Sequence, residues 1–292
     1  MIATVEIAPM GRLRAGRRWK DRAFTAFLWA CAFLAMVPLV LISVYVVSRG
    51  WHALSVNFFT KEPAGPLDPS AGGIAQSFVG TGLIVGMATL FSVPLGILTA
   101  IYLAEYGRGR FAGAVRLIAE VLLSTPSIVA GVFIWSLVVV AMGTFSALAA
   151  ALALTVLMWP VIARAAEEIL RLVPQELREG ALALGVPRWR VILRVVVPTA
   201  GAGILTAIML AVARGLGETA PILLTALGND FINTNPLQPT DAVPLRVFAD
   251  ARTPVAALHE LAWGGALMLL VAVLGLSIAA RAVSSRQQKR MT

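Results

Sequence analysis

The sequence predicts an all-α membrane protein of six transmembrane helices with both termini cytoplasmic. Three observations carry that prediction. Of 292 residues, 59% are hydrophobic and only 13% charged, with a mean hydropathy of +0.84. A soluble domain carries about 25% charged residues. This balance excludes a soluble enzyme, a disordered chain and a disulfide-stapled secreted domain. Second, six apolar stretches are long enough to cross about 30 Å of hydrocarbon at about 1.5 Å per residue. Third, the basic residues alternate in side. Nineteen Lys and Arg fall in the leader, the second and fourth connections and the tail, against four in the other three connections. That bias places the first group in the cytoplasm. The net charge of +9 is therefore read as topology, and no nucleic-acid partner is expected.

The elements follow in order. Residues 1–23 form a basic cytoplasmic leader with Arg12, Arg14, Arg17, Arg18, Lys20 and Arg22. Residues 24–48 hold the first span, whose apolar run from Phe24 to Val47 exceeds the roughly 7–15 residues of a cleavable signal, so it is read as a permanent anchor. Residues 49–75 are an outer loop with Pro63, Pro66, Asp68 and Pro69. The core, 76–282, contains spans over Gln76–Leu103, Val115–Ala141, Phe145–Ala165, Thr199–Ala226 and Leu261–Ala282. A second proline-rich outer loop, 227–260, separates the last two, and both outer loops allow short interfacial helices. Residues 283–292 are a cytoplasmic tail. Gly80, Gly82 and Gly86 fit close helix packing. Cys31 has no partner for a disulfide, and His52 and His259 lack metal-site spacing. No metal or cofactor is expected.

The segment 167–198, EEILRLVPQELREGALALGVPRWRVILRVVVP, is too patterned for a plain connector. Glu176–Leu184 suits a short helix, Gly185 a C′ stop, and Pro187 the first turn of the next helix. Gly180, Ala181 and Ala183 give the first helix a small face that fits a groove on a partner. An amphipathic helix lying on the membrane surface reads the same residues equally well.

The run Glu179-Gly180-Ala181, three residues, Gly185, nine residues, Val195-x-Val197-Pro198 resembles the EAA loop of ABC-importer permeases. Glu179, Ala181, Gly185 and Pro198 match; Gly180, Val195 and Val197 depart from it. The resemblance implies a type I ABC-importer permease bundle (MetI-like), a permease core, and coupling to a separate ATP-binding cassette subunit through Glu179, Gly180, Ala181, Leu184, Gly185 and Arg188. The chain itself has no GxxxxGK[ST] phosphate loop.

Arg214 and Glu218 stand four residues apart near the middle of the fifth span, where a charge costs about 2.5 to 3.5 kcal/mol. They are read either as a structural ion pair or as part of a substrate path, with Arg214 donating to a passing oxyanion. The stretch from Arg214 through Gly217-Glu218-Thr219-Ala220-Pro221 resembles the R-x-x-GETAP stretch of phosphate-importer permeases of the PstA type. Thr125-Pro126-Ser127-Ile128-Val129-x-Gly131 is similar to their PSIVxG stretch. The resemblance implies a cell-membrane importer of inorganic phosphate, not an enzyme. Its implied partners are a sister permease in a heterodimer, ATPase subunits and an extracytoplasmic phosphate-binding protein. The candidate substrate path, read from these charges and the nearby hydroxyls, comprises Arg214, Glu218, Thr219, Ser127 and Thr125. Hydroxyls such as Ser124 and Thr125 more often bond their own helix, and Glu120 is read as structural. A permease for sulfate, molybdate or another nutrient remains open, as does an ATP-independent carrier.

Overall fold

The computed structural model describes residues 15–64 and 72–291. Arg12, Arg14, Pro66, Asp68 and Pro69 lie outside the described residues, as do the side chains of Arg17, Arg18, Arg286, Lys289 and Arg290. The chain divides into two compact units, residues 1–47 and 48–292. The first is the body of helix α1 (Ala15–Gly50). Its side chains from Phe24 to Val47 are almost all exposed and apolar, the surface a lipid-facing anchor needs. Pro38 sits inside this helix without breaking it.

The second unit begins with a short helix α2 (Val56–Thr60), capped by Ser55 Oγ, which accepts from the Phe58 amide at 3.2 Å. Next come α3 (Ala75–Ile101), α4 (Gly109–Ser124), α5 (Ser127–Ile134) and α6 (Val140–Met142). The central helix α7 (Ala147–Arg171) follows, then α8 (Gln175–Ala183), α9 (Arg188–Val191), α10 (Val197–Gly217), α11 (Ala220–Ala226), α12 (Val243–Asp250) and α13 (Ala256–Met291). Wide π-type turns at Tyr102–Tyr106, Trp135–Val139 and Ile192–Val196 continue α3, join α5 to α6, and join α9 to α10. Among the described residues there is no strand, only an isolated bridge between Leu227 and Thr240.

α7 is the axis of this unit. Of its most apolar window 67% is buried, against 33% for α3 and 28% for the α9–α10 helix. The reason is compositional: Ala147, Ala150, Ala151 and Leu154 let α3, α10 and α11 approach closely, with Ile84, Ala88, Ala211 and Ile222 filling the same core. Small residues are the usual means of close packing between membrane helices.

Among the described residues, five helices are long and apolar enough to cross a membrane, or six if a bent pair is one span. That pair corrects the expectation of one continuous span over 115–141. α4 and α5 meet at Thr125–Pro126 with a bend of 106°. Pro126 drives its predecessor out of the helical region, and Thr125 adopts ψ 131°. The fifth span is also interrupted. α10 stops at Gly217, Glu218 takes ψ 120°, and α11 starts at Ala220 with proline in its first turn. α7 runs to Arg171 rather than 165, so Glu167 and Glu168 belong to its last turns.

The glycines of α3 separate. A Cβ on Gly80 would stand 2.0 Å from the Asp241 carbonyl oxygen, so Gly80 is a true close-approach position. Gly82 and Gly86 have nothing within 4 Å; the close packing expected of them is absent.

Candidate functional site

At one end of the bundle, α8 and the turn after it take the form the sequence predicts. The helix spans Gln175–Ala183, Leu184 closes it, and Gly185 adopts φ +77°. Pro187 precedes α9 as its cap residue. Gly185 has open space around the position of a Cβ, so glycine is required there by backbone conformation alone.

α8 does not present one uniform small face. Gly180 and Ala183 are exposed, whereas Ala181 is half-buried against the cluster of Leu170, Val173, Val191 and Val196. Glu179 is exposed. Leu184 is 84% exposed, and Leu177 and Leu182 are 45% exposed. Exposed leucines at the end of the bundle suit contact with another protein or with the membrane surface.

What holds α8 in place was not foreseen from the sequence. Arg178 is 14% exposed and Glu105, at the end of α3, 7%. Arg178 donates to Glu105 Oε1 through Nη2 at 2.9 Å and Nε at 3.2 Å, and Nη2 also donates to the Leu170 carbonyl at 2.8 Å. Its Nη1 donates to the Val173 carbonyl. One guanidinium thus ties α8 to the ends of α3 and α7. Arg188 donates to the Glu105 carbonyl and lies 5.1 Å over the Tyr106 ring.

Nearby, Glu167 is 1% exposed and is surrounded by three arginines. Its Oε1 accepts from Arg116 Nε at 2.9 Å and Arg171 Nη2 at 2.7 Å, and Oε2 lies 3.6 Å from Arg164. The sequence signals are an acid standing among many bases, which demands a partner when buried, and, for Glu167, an arginine three residues before and another four after it. The distant partners, Arg178 of Glu105 and Arg116 of Glu167, lie 73 and 51 residues away.

The residues expected to line a substrate path are brought together only in part. Gly131 meets Pro221: a Cβ there would be 2.8 Å from Pro221 Cα. The PSIVxG and GETAP stretches therefore pack on each other through α5 and α11. Arg214 Nε lies 3.4 Å from Glu218 Oε1, with the side chains 43% and 17% exposed. The pair straddles a helix end rather than a helix middle, and the last turn of α10 favours a cation. Thr219 sits in the break between the helices. Thr125 and Ser124 donate to carbonyls of their own helix, Thr125 to Val121 at 2.7 Å. Thr125 also borders a 270 Å³ cavity with Leu122, Val129, Ala130, Phe133, Val156 and Leu157. Such a lining desolvates an oxyanion without compensation. Ser127 opens α5. Glu120 is exposed and has no ion pair among the described residues. No grouping of three or more His, Cys, Asp or Glu suits a metal among the described residues.

The opposite end of the bundle, one length of α7 away (25 residues, about 37 Å), carries a polar cap centred on α12. Asp241 Oδ2 accepts from Ser77 Oγ at 2.5 Å and Gln76 Nε2 at 3.2 Å. Burial pushes its carboxyl above the usual range, against those bonds and the Arg246 charge. Arg246 holds Asp250 at 3.0 Å and Asp230 at 2.6 Å. Burial raises the Asp250 carboxyl to about 6, only partly offset by Arg246.

A folded-state value above the unfolded 3.8 means that ionised Asp250 costs stability above pH 6, and the cost fades as pH falls toward 4. Asp250→Asn is therefore expected to raise the melting temperature at pH 7.5, with the gap to wild type roughly halved at pH 5 and closing toward pH 4. The upper bound is about 3 kcal/mol at 1.36 kcal/mol per pH unit. Differential scanning fluorimetry at the two pH values checks it; a gap independent of pH contradicts the sign.

Residues 92–291 match the family described as "Binding-protein-dependent transport system inner membrane component". The chain is 40% identical over 276 residues to the protein named "Phosphate transport system permease protein PstA" of Yersinia pestis, covering 94% of this chain and 93% of that one. It is 40% identical over 280 residues to "Phosphate transport system permease protein PstA 1" of Mycobacterium tuberculosis (strain ATCC 25618 / H37Rv), covering 94% and 91%. Among solved structures, it resembles a chain of a bacterial ABC transporter involved in the import of the acidic polysaccharide alginate, with TM-score 0.59, 15% identity, and coverage of 92% of this chain and 99% of that one. It also resembles a chain of the MetNI methionine ABC transporter in an inward-facing conformation, with TM-score 0.57, 18% identity, and coverage of 73% and 94%. At these identities the structures speak for the fold: a MetI-like bundle.

Proposed function

The chain belongs to the binding-protein-dependent inner-membrane transport components, and on that premise we propose that it is the permease subunit of an ATP-driven importer of inorganic phosphate. The observation that carries the substrate is the 40% identity, along 94% of the chain, to proteins named for phosphate transport. Within the chain, Arg214 supports it: a 43%-exposed guanidinium steadied by one carboxylate at 3.4 Å. A fixed planar fork suits a tetrahedral oxyanion, and a neighbouring carboxylate keeps the anion from binding too tightly to leave.

In this reading a binding protein delivers phosphate to a mouth formed with a sister permease, as a heterodimer. Both termini and the α8 end face the cytoplasm, in line with the nineteen-to-four bias in positive charge. Separate ATPase subunits dock on α8 through Leu177, Leu182 and Leu184, around Glu179. Their closure moves α8, and the Arg178–Glu105 tie passes the movement to α3 and α7. Arg214, Glu218 and Thr219 line the path at the α10–α11 break, with Ser127 at the start of the α5 stretch that packs on α11; Thr125, bonded to its own helix, stands aside.

Radiolabelled phosphate uptake by the full complex tests the substrate. Arg214→Gln is expected to lower uptake at least tenfold at unchanged expression, with sulfate and molybdate failing to compete in wild type. Uptake competed by sulfate or molybdate assigns another oxyanion, and unchanged uptake in the variant removes Arg214 from the path.

The coupling turn has its own test. Gly185→Val forces a β-branched residue to φ +77°, a strain of about 1–3 kcal/mol. ATP hydrolysis is expected to continue while uptake falls. Normal coupling in the variant would mean that the turn plays no part in transmission.

A further inference from the structure

We propose that the groove between the end of α3 and the α8–α9 turn binds an oxyanion of the phosphate class through Arg108, Arg171 and Arg188. The groove is a 460 Å³ cavity lined by four arginines, Arg108, Arg171, Arg178 and Arg188, but by a single carboxylate, Glu105. That carboxylate is committed to Arg178, whose Nη2 and Nε both donate to its Oε1. The other three guanidinium groups have no carboxylate of their own. Arg171 shares Glu167 with Arg116 and, at 3.6 Å, with Arg164, which is closer to Glu168 at 3.1 Å, so three cations meet two anions. Arg188 meets only neutral partners, the Glu105 carbonyl and the Tyr106 ring. Arg108 pairs with no carboxylate among the described residues.

Guanidinium groups cannot shed this charge by losing a proton. The three groups are exposed at the groove, where an anion can replace their water, and the planar fork matches phosphate oxygens in bidentate fashion. The cavity has room for an oxyanion with its waters or for the phosphodiester head of an anionic lipid. Arg214 does not line it, so the site is separate from the proposed path and does not depend on which solute the chain moves. An anion bridging Arg108 to Arg188 fastens the turn after α3 to α9. It would then resist the displacement of α8 that coupling requires, and an imported or membrane-borne phosphate would slow the cycle from the α8 end.

The test is arginine labelling with phenylglyoxal, read by mass spectrometry, on the complete complex with its ATPase subunits in nanodiscs. In pure phosphatidylcholine, inorganic phosphate in the millimolar range is expected to protect Arg108 and Arg188, beyond the effect of sodium chloride at equal ionic strength. Arg108→Gln is expected to raise the phosphate concentration needed to protect Arg188 at least fivefold. Protection without added phosphate when phosphatidylglycerol is included identifies the lipid head as the source of the same chemistry. Equal protection by chloride, or protection by neither phosphate nor phosphatidylglycerol, overturns the proposal. So does a phosphate-free complex in phosphatidylcholine whose arginines are already unreactive, since a partner then covers the groove. None of these readouts involves uptake, so a wrong transport substrate leaves the result interpretable.

Discussion

Arg178→Ala is expected to abolish phosphate uptake while leaving the ATPase subunits active. Removing the guanidinium leaves Glu105, 7% exposed, as a buried charge without its partner. Breaking a buried pair in this way costs about 3–5 kcal/mol. It also releases the carbonyls of Leu170 and Val173, which Arg178 holds at the end of α7. Neither α3 nor α7 then retains this hold on α8, and movement of the coupling helix is no longer passed inward. Hydrogen exchange gives the direct reading: the amides of α8 should exchange at least tenfold faster, while those in the middle of α7 stay protected. Arg178→Lys keeps the charge but loses the fork that reaches Glu105 and two carbonyls together, so an intermediate loss is expected. Wild-type exchange in α8 of the alanine variant would show that the packing of Ala181 on the core holds the helix without the arginine.

The second large effect is expected at Gly80. An added methyl would lie 2.0 Å from the Asp241 carbonyl oxygen and 2.5 Å from Thr240 Cγ2. The nearer neighbour is backbone, which cannot turn aside as a side chain can. The strand of chain at 240–243 must lift, taking with it the Ser77–Asp241 bond and the bond from the Val243 amide to Thr81 Oγ1 at 2.8 Å. Gly80→Ala should therefore destabilise by about 3 kcal/mol, the upper range for overpacking. Two residues along the same helix, Gly82→Ala meets nothing within 4 Å and should be neutral or stabilise by up to about 1 kcal/mol. Thermal unfolding of the two variants side by side decides it; equal melting temperatures would mean that the 240–243 segment yields freely.

The pattern of these predictions reflects what a sequence can carry. Spans are legible because length and apolar content are local properties, and α1, α3, α7 and α13 appear where the hydropathy places them. Their breaks are less so, because proline speaks ambiguously inside a membrane. Pro38, Pro94 and Pro160 sit within continuous helices, whereas Pro126 marks a 106° bend. The difference lies in what packs around each one, which no local rule contains. The turn at Gly185 was readable because a helix stop needs positive φ and glycine provides it. The contact of Gly131 with Pro221, and the ties from Arg178 to Glu105 and from Arg116 to Glu167, were not readable. Each joins residues far apart in sequence, and charge counting shows only that a partner must exist.

The wide turn at Ile192–Val196 bears on how this chain should be aligned and drawn. Such a turn holds one residue more than an α-turn, and each residue of an α-helix advances the azimuth by about 100°. A single helical wheel run from Arg188 to Gly217 consequently sets Arg214 about 100° away from its actual bearing relative to Arg188. The surplus residue is also the one that such a helix can give up, closing to regular winding without turning the segment beyond it. One-residue gaps among relatives, normally foreign to the interior of a membrane span, therefore belong at the three wide turns. A gap placed anywhere else between Arg188 and Gly217 swings Arg214 off the face it shares with the α11 break.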